Sequence, residues 1–220
     1  MEKYFAILKK CPLFFGIDET HLAKMLPCLG AQIMPFDKKY TILKEGNPAR
    51  YIGIILSGSA QVIRLDYYGN RSILSEVGPS ELFSEAFACA EIDAVPISVI
   101  ANEPGEAMLI DCGHILHTCA NNCGFHQQLI FNLMKDLAAK TLAFHQKMEI
   151  LSCRTTRDKL LTYLDLQAKQ AGSPRFTIPF DRQELADYLE VDRSGLSTEI
   201  GKLRKEGILK SRKDQFELLQ

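Results

Sequence analysis

The sequence predicts an α+β protein in three parts: an N-terminal β-roll or jelly roll over residues 1–125, one long helix over 126–151, and a winged helix-turn-helix over 152–220. Three observations carry this reading. Gly- and Pro-containing turns recur through the first part, a cadence that suits antiparallel hairpins. A long run without Gly or Pro, rich in Leu, Ala, Lys and Gln, follows it. The last part then offers two short helices, each with its own capping signal, and a hairpin.

The composition is that of an ordinary folded chain. Of 220 residues, 46% are hydrophobic and 24% charged, which excludes a disordered or collagen-like chain. No apolar run is long enough to span a bilayer, and residues 1–10 lack the pattern of a secretory signal, so the expected location is the cytoplasm and no membrane partner is expected. The seven cysteines are odd in number and unevenly spread, so thiols are expected. The net charge of −1 conceals a partition. Residues from 152 onward carry 13 Lys+Arg against 11 Asp+Glu, a net of +2, and the remainder a net of −3. The C-terminal end can therefore face a polyanion.

Residues 18–29 read as a short helix with Leu22, Met25, Leu26 and Leu29 on one side. Strands are expected at 51–56, 61–65 and 107–111, with turns at Glu45-Gly46-Asn47-Pro48, Ser57-Gly58-Ser59, Tyr68-Gly69-Asn70, Val77-Gly78-Pro79 and Glu103-Pro104-Gly105. Next come His114, His117, Cys119, Cys123 and His126, residue types that ligate zinc, haem and iron–sulfur clusters. Their spacing is loose and no metal is assigned. Cys119 and Cys123 could instead form a redox pair, or all could be ordinary buried and polar side chains.

In the long helix, Ile130, Met134, Leu137, Thr141, Phe144, Met148 and Leu151 follow a 4-3-4-3-4-3 spacing, the seam of a helix that pairs with a second copy. Leu129 and Leu133 on a flanking face suit contact with the chain's own roll, so both contacts are expected. A further helix starts at Thr155-Thr156-Arg157, buries Leu160, Leu161 and Leu164, and ends at Gly172-Ser173-Pro174. Residues 176–180 read as an edge strand, because Pro179 cannot donate to a ladder.

Asp181-Arg182-Gln183-Glu184 is a capping box, and Leu185, Ala186 and Leu189 form the inward side of the helix it opens. Asp192 can cap the next helix, 193–206, which turns Leu196, Ile200 and Leu203 inward and stops at Gly207. Residues 208–219 form a hairpin with a basic tip. That order is a winged helix-turn-helix, whose second helix enters the major groove of DNA. Arg193, Ser194, Ser197 and Thr198 then face outward: the arginine can donate two bonds to guanine, and the hydroxyls permit close approach to the bases. Gln183 and Ser194, near helix N-termini, and Lys202, Arg204, Lys205, Arg212 and Lys213 are placed for phosphates.

The chain resembles the Crp/Fnr family of bacterial transcription regulators over nearly its whole length. The resemblance is carried by Asp181-Arg182-Gln183-Glu184-Leu185-Ala186-Asp187-Tyr188-Leu189, Val191-Asp192-Arg193-Ser194, Leu196-Ser197-Thr198-Glu199 and Lys205-Glu206-Gly207-Ile208, with Ile55-Leu56-Ser57-Gly58-Ser59 and Gly78-Pro79 in the roll. It implies a homodimer on a palindromic operator, RNA polymerase as a partner, and a small effector bound in the roll. Members that bind cyclic nucleotides carry a Phe-Gly-Glu turn and then an Arg-Ser or Arg-Thr pair. Here the turn is Phe83-Ser84-Glu85 and the pair is replaced by Val95-Pro96, while the position that touches adenine falls near Phe144-His145. A cyclic phosphate would lack its countercharge, so cyclic AMP is not the expected effector, and no cofactor is assigned. Glu85 is either a ligand residue or a structural hydrogen-bonding one. Two other readings compete. One is a metal- or thiol-redox sensor built on Cys119, Cys123 and His126. The other is a ligand-sensing module that signals through proteins without touching DNA. No catalytic constellation is present in the sequence, so an enzyme is not expected.

Overall fold

A computed structural model describes residues 2–116 and 125–219. The chain forms two compact units, Met1–Asn70 with Leu74–Thr141, and Arg71–Ile73 with Leu142–Gln220.

The first unit begins with α1 (Phe5–Leu8) and α2 (Glu19–Cys28). Asp18 caps α2 by accepting from the His21 N–H at 3.0 Å, and Leu22, Met25 and Leu26 are buried beneath it. Eight strands follow: β1 (Gln32–Phe36), β2 (Thr41–Leu43), β3 (Tyr51–Ser57), β4 (Ala60–Leu65), β5 (Arg71–Val77), β6 (Leu82–Phe83), then α3 (Glu85–Cys89), β7 (Ser98–Ala101) and β8 (Gly105–Asp111). They form two four-stranded sheets ordered β1-β8-β3-β6 and β2-β7-β4-β5. The strands expected at 51–56, 61–65 and 107–111 are β3, β4 and β8. Ile52, Ile54, Ile55, Leu82, Met108 and Ile110 are fully buried in the apolar core of the roll. Gly53 pairs with Phe83, and a Cβ at position 53 would sit 1.9 Å from Phe83 Cζ. Glycine there leaves room for the outer edge of the Phe83 ring against the β3 backbone.

After α4 (Cys112–Leu116) comes α5 (His126–Ser152), whose first half buries Leu129 and Leu133 in the roll core. The contact with the chain's own roll is therefore present. No helix among the described residues is long and apolar enough to cross a membrane.

The second unit holds α6 (Thr156–Ala171), β9 (Arg175–Thr177), α7 (Arg182–Leu189), α8 (Arg193–Lys205), β10 (Leu209–Arg212) and β11 (Gln215–Leu218). Its sheet is ordered β10-β11-β9, so β9 is an edge strand as expected, but it ends at Thr177 rather than reaching 180. Beyond Ile178, Pro179 has no N–H to offer, and Phe180 turns inward instead, its ring 4.8 Å from Tyr188 and 6.4 Å from Tyr163. Likewise α8 ends one residue before the expected 206: Glu206 is the C-cap and Gly207 takes the left-handed conformation, φ +74°.

Candidate nucleic-acid interface and effector turn

Local chemistry sets α7 and α8. Asp181 accepts from the Glu184 N–H at 2.8 Å, and Glu184 accepts from the Asp181 N–H at 2.8 Å, completing the capping box. Glu190 closes α7 in the left-handed region, φ +52°. Asp192 then starts α8, accepting from the Gly195 N–H at 2.8 Å and the Ser194 hydroxyl at 2.5 Å. Those two bonds hold the Asp192 carboxyl below the usual range. Leu185, Ala186, Leu189, Leu196, Ile200 and Leu203 are buried, so the two helices share one small core.

The opposite side of α8 is open. Arg193, Ser194, Ser197 and Thr198 are all exposed. Ser194 donates to Asp192 and Thr198 donates to the Ser194 carbonyl at 2.9 Å, so both hydroxyls turn their lone pairs outward. Oriented so, they suit the exocyclic amino groups of adenine or cytosine. Lys202 is exposed but paired with Glu199 at 3.1 Å, and Glu199 also meets Arg157 at 3.4 Å. Gln183 is exposed and donates to Asp187 at 2.8 Å. Arg204, Lys205, Arg212 and Lys213 are exposed, with Lys213 at φ +55° in the turn of the β10–β11 wing. Sequence reasoning missed the brace of that wing. Arg182, read only as part of the capping box, donates to the Lys213 carbonyl at 3.2 Å and lies over the Phe216 ring.

The helical seam is graded. Met134, Thr141, Phe144 and Met148 are exposed, Leu151 is half-buried, and Ile130 and Leu137 are half-buried against the roll core. Phe131 and Leu142 are also exposed, at 47% and 64%, which widens the apolar stripe beyond the spacing pattern.

In the roll, Phe83 is buried and Ser84 stands at φ +67°, the conformation for which glycine is suited. Keeping a side chain there costs about 1 kcal/mol, so Ser84→Gly should raise the unfolding free energy by about that amount in urea melts. No gain would mean that the extra freedom of glycine in the unfolded chain offsets the strain relieved. Glu85 is buried, and its Oε1 accepts from Lys140 Nζ at 2.8 Å. That ammonium also donates to the Leu82 carbonyl at 2.6 Å and lies 3.6 Å from Asp136. The α5 residue that meets the turn is thus Lys140, one helical turn before the expected Phe144, which is half exposed. An i,i+4 Asp136–Lys140 pair on the face that also carries Leu129 and Leu133 was the available signal. Burial lifts the Asp136 carboxyl above the usual range, with Lys140 opposing in part. Ser84 Oγ, Glu85 Oε2 and Asp136 Oδ2 are buried without hydrogen-bond partners among the described residues. Val95 is buried in the apolar core and Pro96 is exposed, so neither supplies a cation.

His117, Cys119 and Cys123 lie outside the described residues. His114 is exposed, His126 is buried, and among the described residues no group of three His, Cys, Asp or Glu side chains is placed to hold a metal.

Residues 33–122 match a family model for a cyclic nucleotide-binding domain, and residues 158–220 match one for a Crp-like helix-turn-helix domain. The chain is 30% identical over 79 residues to the CRP-like cAMP-activated global transcriptional regulator of Mycobacterium tuberculosis. That match covers 36% of this chain and 34% of the relative, about a third of the relative's length. The fold is similar to that of the c-di-GMP responsive global regulator CLP of Xanthomonas campestris, with a TM-score of 0.75 at 17% identity over 92% of this chain and all (100%) of that one. It is also similar to a CRP-family transcriptional regulator of Thermus thermophilus, with a TM-score of 0.61 at 20% identity over 85% and 92% of the two chains.

Proposed function

The chain belongs to the Crp/Fnr family of regulators, and from that premise we propose that it is a dimeric, sequence-specific DNA-binding transcription regulator rather than an enzyme. The observation that carries this reading is the exposed row Arg193, Ser194, Ser197 and Thr198 on a capped helix whose other face is buried. These four residues read bases; Gln183, Lys202, Arg212 and Lys213 hold phosphates. The working division is a sensing roll over 1–125, a dimerisation helix over 126–151 and a DNA-binding domain over 152–220. Its partners are a palindromic operator, a second copy of the chain and RNA polymerase, in the cytoplasm.

The residues present do not fit a cyclic phosphate. Val95 and Pro96 offer no countercharge, and Lys140 is already engaged by Glu85 and lies beside Asp136. A buried anion would meet two carboxylates for one ammonium. The effector we propose is therefore not cyclic AMP but a less anionic molecule that satisfies Ser84 and Glu85.

Arg193→Ala should weaken binding by about 1–3 kcal/mol on an operator selected from random-sequence duplexes by the wild-type protein, with little change on unselected DNA. Equal losses on both would make Arg193 a phosphate contact. Unimpaired binding would overturn the reading of α8 as the base-reading helix.

A further inference from the structure

Two thiols far apart in sequence meet at one end of the roll. Cys89 is the last residue of α3, Cys112 is the first of α4, and their sulfurs are 3.7 Å apart. Both are free thiols; Cys112 is buried and Cys89 is half-buried, so Cys89 is the more accessible residue of the pair. Cys112 is held in place by its backbone N–H, which donates to the Arg50 carbonyl at 3.1 Å. The contact makes the two thiols unequal. Hydrogen bonding to Cys112 lowers the Cys89 pKa against the effect of burial, and the same bond, reinforced by burial, pushes the Cys112 pKa up. A half-buried thiol whose pKa is lowered, in contact with a buried one whose pKa is raised, is the arrangement of an attacking and a resolving cysteine.

We propose that Cys89 and Cys112 form a dithiol that hydroperoxides oxidise reversibly to a disulfide stapling α3 to α4. The Cys89 thiolate attacks one peroxide oxygen, the O–O bond breaks, and the departing oxygen takes a proton to leave as water, or as an alcohol when the peroxide is organic. Cys89 is then a sulfenic acid. The Cys112 sulfur gives up its proton and attacks the Cys89 sulfur, expelling the hydroxyl as a second water. Two thiols lose two electrons in all, and one peroxide gains them. Bond formation brings the sulfurs from 3.7 Å to about 2.05 Å, a movement within reach of side-chain rotation and a small helix shift. Because α3 begins at Glu85, the staple anchors the far end of the helix whose first residue Lys140 holds.

The test uses the reduced full chain, exposed to hydrogen peroxide, alkylated after denaturation and mapped by peptide mass. We expect a peptide containing Cys89 linked to one containing Cys112, released by dithiothreitol and absent in Cys89→Ser and in Cys112→Ser. Cys112→Ser should accumulate a sulfenic acid on Cys89 that dimedone traps. Hydrogen exchange over residues 82–92 should slow in the oxidised protein. Complete alkylation of both cysteines after peroxide, or linkage of either to Cys119 or Cys123, would overturn the site. A linked pair with unchanged exchange would overturn the staple. None of these readouts involves DNA, so the outcome is independent of the DNA-binding reading.

Discussion

Replacing Lys140 with Met should lower the unfolding free energy at pH 7 by about 3 kcal/mol in urea melts. Removing one partner of a buried ion pair usually costs about 3–5 kcal/mol, because the charge left behind stays desolvated. Here the loss belongs at the lower end, since the Lys140 side chain is 34% exposed and water screens it, although Glu85 and Asp136 are only 5% and 9% exposed. The pH dependence has a fixed sign. A buried carboxyl whose folded pKa is raised, as Asp136's already is, contributes stability that is full below the usual carboxylate range and is lost as pH rises through the raised value. Without Lys140 that effect should grow, so the variant should regain stability on acidification, and adding Glu85→Gln should restore part of it at pH 7. A Lys140→Met protein as stable as wild type at pH 7 and on acidification would show that the pair is merely a surface ion pair.

Charging the seam should have the second large effect. Phe144→Glu with Met148→Glu should halve the mass found by sedimentation equilibrium and leave the single chain folded, because both side chains are exposed in it, at 50% and 67%. Leu137 is a poorer probe, since it also packs against the roll core and its loss confounds folding with assembly. A dimer on a palindrome binds its second half-site intramolecularly, a gain of roughly 10²–10⁴ in affinity, so operator binding should fall by about that factor. An unchanged mass would refute the seam. A halved mass with unchanged operator affinity would refute the two-half-site arrangement.

What could be read without coordinates is local. The capping box at Asp181, the Asp192 cap, the Gly172 and Gly207 stops and the inward set Leu196, Ile200 and Leu203 depend on residues three or four apart, and those spacings are fixed by helix geometry. Short apolar runs between Gly and Pro turns placed β3, β4 and β8, because turn residues and strand length are local properties as well. The end of the edge strand was misjudged because the inward turn of Phe180 depends on Tyr163 and Tyr188, which belong to other helices.

Which residues stand beside the Phe83-Ser84-Glu85 turn was decided by tertiary structure alone. Lys140 reaches Glu85 across 55 residues, Arg182 braces Lys213 across 31, and Cys89 meets Cys112 across 23. Read locally, Lys140, Arg182, Cys89 and Cys112 have a minor role or none, and the thiol pair the sequence offered was Cys119 with Cys123. Periodicity records which face of an element is apolar. It does not record which polar side chain on another element answers a buried one, because that depends on how the sheets and helices pack. The three-part α+β architecture and the outward row of α8 were thus determined by sequence. The pairing at the turn, the brace of the wing and the dithiol were determined by packing.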